Sequence, residues 1–133
     1  MLDATTDLKS LLKDPSLLET RAYIGGRFVD GQGTFEVTNP ARGDVIAHVA
    51  DVDRAQTAGA IAQADAAQKD WAKWTGKERA AVLRKWFDLM IENQDDLATI
   101  LTAEMGKPLA EAKGEITYGA SFIEFYAEEA KRI

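Results

Sequence analysis

Three kinds of residue in this chain could take part in chemistry. The acids come first. Glu111 and Glu115 lie four apart, as do Glu124 and Glu128, so a helix places each pair on one face. Two carboxylates held together can divide general acid and base roles. The same spacing, with Lys107 four before Glu111, equally makes a solvated and ion-paired face. His48 is the single histidine, inside the run Asp44-Val45-Ile46-Ala47-His48-Val49-Ala50. It reads either as a strand residue or as a lone base, and one histidine cannot build a histidine-rich metal site. Trp71, Trp74 and Trp86 could stack on a ligand, but their spacing on amphipathic helices favours core packing. The chain contains no cysteine, so thiol nucleophiles, disulfides and thiolate metal ligands are all absent from residues 1–133.

Two glycine patterns bear on phosphate binding. Gly31-Gln32-Gly33 lacks the third glycine of a dinucleotide fingerprint and no helical pattern follows it, so it reads as a loop between strands. No Gly-x-x-x-x-Gly-Lys-Ser/Thr loop occurs.

The elements that must position these groups fall into three stretches. Residues 1–21 read as an N-terminal arm: Leu8, Leu11 and Leu12 recur at helical spacing until Asp14-Pro15 breaks the pattern. So short a helix is marginal alone, so the arm is expected to pack on something larger. Residues 22–50 read as strands. Gly25-Gly26 forms a tight hairpin between Tyr23-Ile24 and Arg27-Phe28-Val29, and Asn39-Pro40-Ala41-Arg42-Gly43 turns the chain from Thr34–Thr38 into Val45-Ile46-Ala47.

About four helices follow. Asp51 or Asp53 caps the first, whose stripe is Ala60, Ala64, Ala67, Trp71 and Trp74. Thr75-Gly76-Lys77-Glu78 matches a capping box and starts the second, with Leu83, Trp86, Phe87 and Met90 as its buried face. Asn93-Gln94-Asp95 breaks it, and Asp95-Asp96 suits the start of the third as capping and dipole compensation. Leu97, Ile100, Leu101 and Met105 mark the third helix, ended by Gly106. Pro108 suits the first turn of the fourth.

That fourth helix is apolar on two faces. Leu109, Ala112, Ile116, Ala120, Ile123 and Ala127 line one, and Tyr118, Phe122 and Phe125 with Glu129 line the other. Neighbours are expected on both. Gly114 and Gly119 each weaken a helix interior by about 1 kcal/mol relative to Ala, which a close approach by another element would offset. The pattern stops at Ile133 with no Gly, Asn or Pro to end the helix, which reads as a point where a longer protein continues.

The bulk numbers bound the function. A length of 133 residues fits one domain, and 46% hydrophobic with 29% charged residues supports a folded chain. A net charge of −6 without a basic cluster speaks against nucleic acid, and no long apolar run speaks for a membrane. The expected location is the cytoplasm.

Asn39-Pro40-Ala41-Arg42-Gly43-Asp44-Val45-Ile46, after Tyr23-Ile24-Gly25-Gly26-Arg27-Phe28-Val29, resembles the aldehyde dehydrogenase superfamily. So do the later blocks: Lys77-Glu78-Arg79-Ala80, Leu83-Arg84-Lys85-Trp86-Phe87, and Glu104-Met105-Gly106-Lys107-Pro108-Leu109-Ala110-Glu111-Ala112. The extension from Lys113 to Glu124 is most similar to succinate-semialdehyde dehydrogenases, with Met105 standing where that branch has Gln. The blocks run in family order over nearly the whole chain.

The resemblance implies an α+β N-terminal part of an α/β cofactor-binding domain, occupying residues 22–133 after the arm at 1–21. It implies a full-length enzyme that binds NAD or NADP, oxidises a small aldehyde such as succinate semialdehyde, and forms a homo-oligomer. The catalytic Cys, the oxyanion Asn, the general-base Glu and the cofactor-binding elements match nothing within 1–133, so the chain alone is expected to bind no cofactor and to be inactive. The helix from Pro108 resembles one lining the family's substrate tunnel. Tyr118 and Phe122 would then shape the tunnel, or would pack against the remainder of the parent chain. An isolated chain is expected to self-associate through its exposed apolar faces. The contrasting reading is a stand-alone helical module whose Tyr118/Phe122/Phe125 face grips a partner helix.

Overall fold

Two glycines in succession open the ordered strand region. Gly25 and Gly26 have φ of 60° and 80°, the left-handed values that a two-residue hairpin turn needs. They join β1 (Ala22–Ile24) to β2 (Arg27–Val29), with Tyr23 opposite Phe28 across the pair. A second antiparallel pair joins β3 (Gly33–Thr38) to β4 (Val45–Asp51), so the sheet content among the described residues is two separate two-stranded ribbons. The computed structural model describes residues 8–132. The expected readings of Met1–Asp7 and of Ile133 lie outside them.

The turn between β3 and β4 is built by Asn39. Its side-chain oxygen accepts the N–H groups of Ala41 and Arg42 at 2.9 and 3.3 Å, and its carbonyl accepts Gly43 N–H at 2.7 Å. Arg42 then grips Asp44 through two nitrogens at 2.8 and 2.9 Å. This bidentate pair holds the Asp44 carboxyl below the usual carboxylate range.

Four helices follow: α1 (Arg54–Trp71), α2 (Gly76–Glu92), α3 (Gln94–Met105) and α4 (Leu109–Glu129). Asp53 caps α1 and Thr75 caps α2, each in a reciprocal capping box with the residue three on. Asn93 does not cap α3 with its side chain; its amide instead closes α2 by donating to the Leu89 carbonyl at 2.8 Å. Gly106 ends α3 at φ 78°, and Pro108 is the cap residue before α4.

The helical part of the core is small and lies where α4 packs against α2 and α3; Ile46 and Ala47 of β4 are buried as well. Ala112, Ala120 and Ala127 of α4 and Ala98 of α3 are fully buried, so the helices meet through alanines and approach closely. Gln94 sews the joint by donating to the Lys113 carbonyl at 2.9 Å and the Thr117 hydroxyl at 2.6 Å. At the far end, a Cβ on Gly76 would overlap the Ala130 carbonyl oxygen, so glycine is what lets the start of α2 touch the end of α4.

The arm is docked rather than free. Leu8 and Leu12 are buried, and Ala50 N–H of β4 donates to the Thr20 carbonyl at 2.8 Å. Between these points the Asp96 carboxylate accepts Lys13 N–H at 3.0 Å and Asp14 N–H at 2.8 Å. Asp95 and Asp96 do sit in the first turn of α3, where the helix dipole favours them. Their added role is to hold the arm, which the sequence reading did not foresee.

Several expectations need correction. Trp74 and Trp86 are exposed, not core. Helix α1 buries none of its residues among the described ones, so its alanine stripe faces solvent; its tie to the hairpin region includes Gln56 donating to the Asp30 carbonyl at 3.2 Å. In α2 the inward residues are Ala80, Leu83, Phe87 and Met90, and Trp86 lies about 100° round the helix from Phe87. No neighbour approaches Gly114 or Gly119 among the described residues.

Candidate functional site

The aromatic residues of α4 sit where the 3.6-residue period carries them. The three buried alanines take one face, which forces Tyr118, Phe122 and Phe125 to the opposite side. Tyr118 and Phe122 do point together: their rings meet edge to face with centroids 4.9 Å apart. Phe125 and Tyr126 make a second such pair at 5.3 Å. All four are exposed, Tyr118 at 65% and Tyr126 at 61%. Tyr126 was missed in the sequence reading, although its place four after Phe122 carries the same signal.

One turn N-terminal to Tyr118 lies a shallow depression lined by Lys107, Glu111, Gly114, Glu115 and Tyr118. Lys107 pairs with Glu115, and that hydrogen bond raises the Lys107 pKa above its ordinary value. Glu111 adds a further, weaker favourable charge. Neither acid is desolvated, and Glu115 is committed to a cation, so this is a charged surface rather than an acid–base pair.

The other candidate groups do not converge on it. Glu124 accepts from Arg84 at 2.6 Å and so links α4 to α2, while Glu128 pairs with Lys131 at 2.7 Å. His48 is exposed on β4 opposite Glu36. Trp71 and Trp74 stack on each other at 5.2 Å, and Trp86 stands apart from them on α2. No group of three or more His, Asp or Glu side chains among the described residues is arranged to hold a metal ion.

An apolar cavity of about 300 Å³ lies between the arm, the β3–β4 turn and α3, walled in part by Leu8, Leu11, Ile46, Thr102 and Leu109. The Thr102 hydroxyl is buried without a hydrogen-bond partner among the described residues. Among the described residues no carboxylate or histidine lines the cavity, and its one charged lining group, Arg42, is engaged by Asp44.

A dinucleotide needs a glycine turn opening onto a helix N-terminus. Gly31 instead backs against the main chain of Asp51, and Gly33 begins β3. The residues present therefore do not fit such a cofactor at the one glycine pair that invited it.

Comparison with known proteins completes the picture. A family model described as "Aldehyde dehydrogenase family" matches residues 28–133. The chain is 58% identical over 124 residues to a glutarate-semialdehyde dehydrogenase of Pseudomonas putida, covering 92% of this chain and 26% of that protein. It is 51% identical over 124 residues to an NADP(+) succinate-semialdehyde dehydrogenase of Escherichia coli, again covering 92% and 26%. It superposes on the crystal structure of a succinate-semialdehyde dehydrogenase from Burkholderia pseudomallei with a TM-score of 0.89 and 58% identity, over 92% of this chain and 26% of that one. The chain thus spans about a quarter of the length of the curated relatives it matches. In those solved chains the same strands and helices form the N-terminal part of the fold. Matched along most of its length and sharing that fold, the chain belongs to the aldehyde dehydrogenase family.

Proposed function

We propose that the chain is the N-terminal part of an NAD(P)-dependent semialdehyde dehydrogenase whose substrate is a short aldehyde bearing a distal carboxylate, succinate semialdehyde or its one-carbon-longer homologue glutarate semialdehyde. The observation that carries this is the identity above 50% over 124 residues to enzymes named for those two substrates. Residues 22–133 are then the first part of the dinucleotide-binding domain and 1–21 its arm. The remaining polypeptide supplies the nucleophilic Cys and the cofactor site, since residues 1–133 hold no Cys. The complete enzyme is a cytoplasmic homo-oligomer.

Tyr118 and Phe122 shape the aldehyde tunnel of the complete enzyme. Their support is geometric: two rings in edge-to-face contact, exposed on a face whose opposite side is already packed. Such a pair presents a firm apolar wall to an aliphatic chain. The test is kcat/KM of the full-length enzyme and its Tyr118→Ala variant on acetaldehyde, succinate semialdehyde and glutarate semialdehyde. The expected result is loss that differs between the three, by roughly tenfold between best and worst. Equal loss, or none, removes the tunnel role. Failure of the parent to oxidise either semialdehyde removes the substrate assignment. Residues 1–133 alone are expected to show no aldehyde oxidation, and turnover by that chain would overturn the division of labour.

A further inference from the structure

We infer that Gln94, the first residue of α3, is a positioning residue for Tyr118: it fixes how far α4 is turned about its own axis, and so where the Tyr118 ring stands. This rests on the tunnel reading of Tyr118 given above. The Gln94 side-chain amide crosses from α3 to α4, donating to the Lys113 carbonyl at 2.9 Å and to the Thr117 hydroxyl at 2.6 Å. The Thr117 hydroxyl donates to the same carbonyl at 3.2 Å, so three groups close one cluster on a single turn of α4. Lys113 and Thr117 are four apart and share a face. Tyr118 is the next residue, about 100° round the helix. Rotation of that turn therefore moves its ring directly.

The packing beneath does little to set that rotation. Ala98 of α3 and Ala112 and Ala120 of α4 are fully buried. Their methyl groups let the helices approach closely but interlock weakly, and a uniform contact of small side chains underspecifies orientation. Asp95 also holds the Lys113 ammonium at 2.7 Å, but both side chains are exposed, and an exposed ion pair on a flexible stem fixes position poorly. Gln94 differs because it grips main chain. A bond to a backbone carbonyl locates the helix itself, whereas a bond to the tip of a long side chain locates the tip. The Tyr118 ring has its edge-to-face partner, Phe122, on the same helix, so that contact turns with α4 and cannot anchor it.

The test uses the full-length enzyme with Gln94→Met, which keeps the side chain's length and removes its donors. Thr117→Val removes the partner on α4 with little change of shape, and decides if Gln94→Met yields no soluble protein. The readout is the ratio of kcat/KM for succinate semialdehyde to that for glutarate semialdehyde, measured beside Tyr118→Ala. The expected result is a shift of that ratio by roughly threefold in the direction of Tyr118→Ala, with no further shift when Gln94→Met is added to Tyr118→Ala. Gln56→Ala, which breaks an amide-to-carbonyl bond of α1 instead, should leave the ratio where it was. Fluorine NMR of a fluorotyrosine at position 118 reads the ring itself, and its resonance should move in Gln94→Met but not in Gln56→Ala. An unchanged ratio in Gln94→Met beside a shifted one in Tyr118→Ala overturns the inference and leaves the tunnel reading standing, whatever happens to Tm. A resonance that stays put, or a shift of the ratio that persists in full in the Tyr118→Ala background, also overturns it. A flat Tyr118→Ala removes the tunnel reading, and the resonance alone then decides whether Gln94 holds the ring.

Discussion

The carboxylate of Asp96 accepts the backbone N–H of Asp14 at 2.8 Å while Asp96 itself is only 5% exposed. Its other oxygen takes Lys13 N–H at 3.0 Å. One side chain at the start of α3 therefore ends the arm's helical turn, more than eighty residues earlier in sequence. Asp96→Ala strands both donors and is expected to destabilise the chain by about 1–3 kcal/mol. Asp96→Asn keeps one acceptor oxygen and loses less. Urea unfolding measures the difference, and hydrogen exchange at the Lys13 and Asp14 amides locates it.

Acid should loosen the same joint. Asp95 is held below its ordinary pKa first by its hydrogen bond with Lys113, then by that with Lys13. A depressed carboxyl stabilises the fold above its unfolded pKa, near 3.8, and loses that contribution as pH falls through the folded value. Glu19, pulled down to about 2 by Arg21, behaves likewise between 4.5 and about 2. Asp95 is exposed and Glu19 half-buried beside an exposed Arg21, so the effect is modest and screened by salt. An NMR titration of the side-chain carboxyls should place Asp95 below the ordinary carboxylate value, and Lys113→Ala should raise it; no rise in that variant would remove the role assigned to the lysines.

Gly59 and Gly76 both lie in helices but should answer alanine with opposite signs. Gly59 is exposed with nothing near a new Cβ, so Gly59→Ala gains about 0.4–1 kcal/mol. Gly76→Ala meets the Ala130 carbonyl and must push two backbones apart, a loss of about 1–3 kcal/mol. Paired denaturation curves check the contrast.

Gly106 combines φ of 78° with a would-be Cβ 2.9 Å from Pro40 Cγ. Gly106→Ala is expected to lose about 1–2 kcal/mol from the left-handed conformation alone. Pairing it with Pro40→Ala should recover only the part due to the contact, which a double-mutant cycle isolates.

Much of this architecture is legible in local sequence because it is decided locally. Gly25-Gly26, the Thr75–Glu78 capping box and the Gly106 stop each act within a few residues, and each stands where expected. The inward face of α4 is equally legible, though Leu109 is exposed at 46%. What escaped were relationships set by tertiary approach. The choice of Asp96 over any other acid as the arm's anchor depends on where α3 meets residues 13 and 14. Trp74 and Trp86 misled because periodicity shows which residues share a stripe, not whether an element covers it. Of the candidate site, the mutual contact of Tyr118 and Phe122 followed from four-residue spacing, while the lining of the depression beside them required the fold.

The meeting of Gly76 with Ala130 has a consequence for exchanging segments between relatives. The two positions belong to different blocks of sequence but form one steric unit. A crossover placed between them can join an α2 that begins with a larger residue to an α4 that ends too close for it. Hybrids that inherit both positions from one donor should fold more often than hybrids that split them, whatever their total number of substitutions. The pair thus marks a linkage that an inventory of conserved blocks would divide.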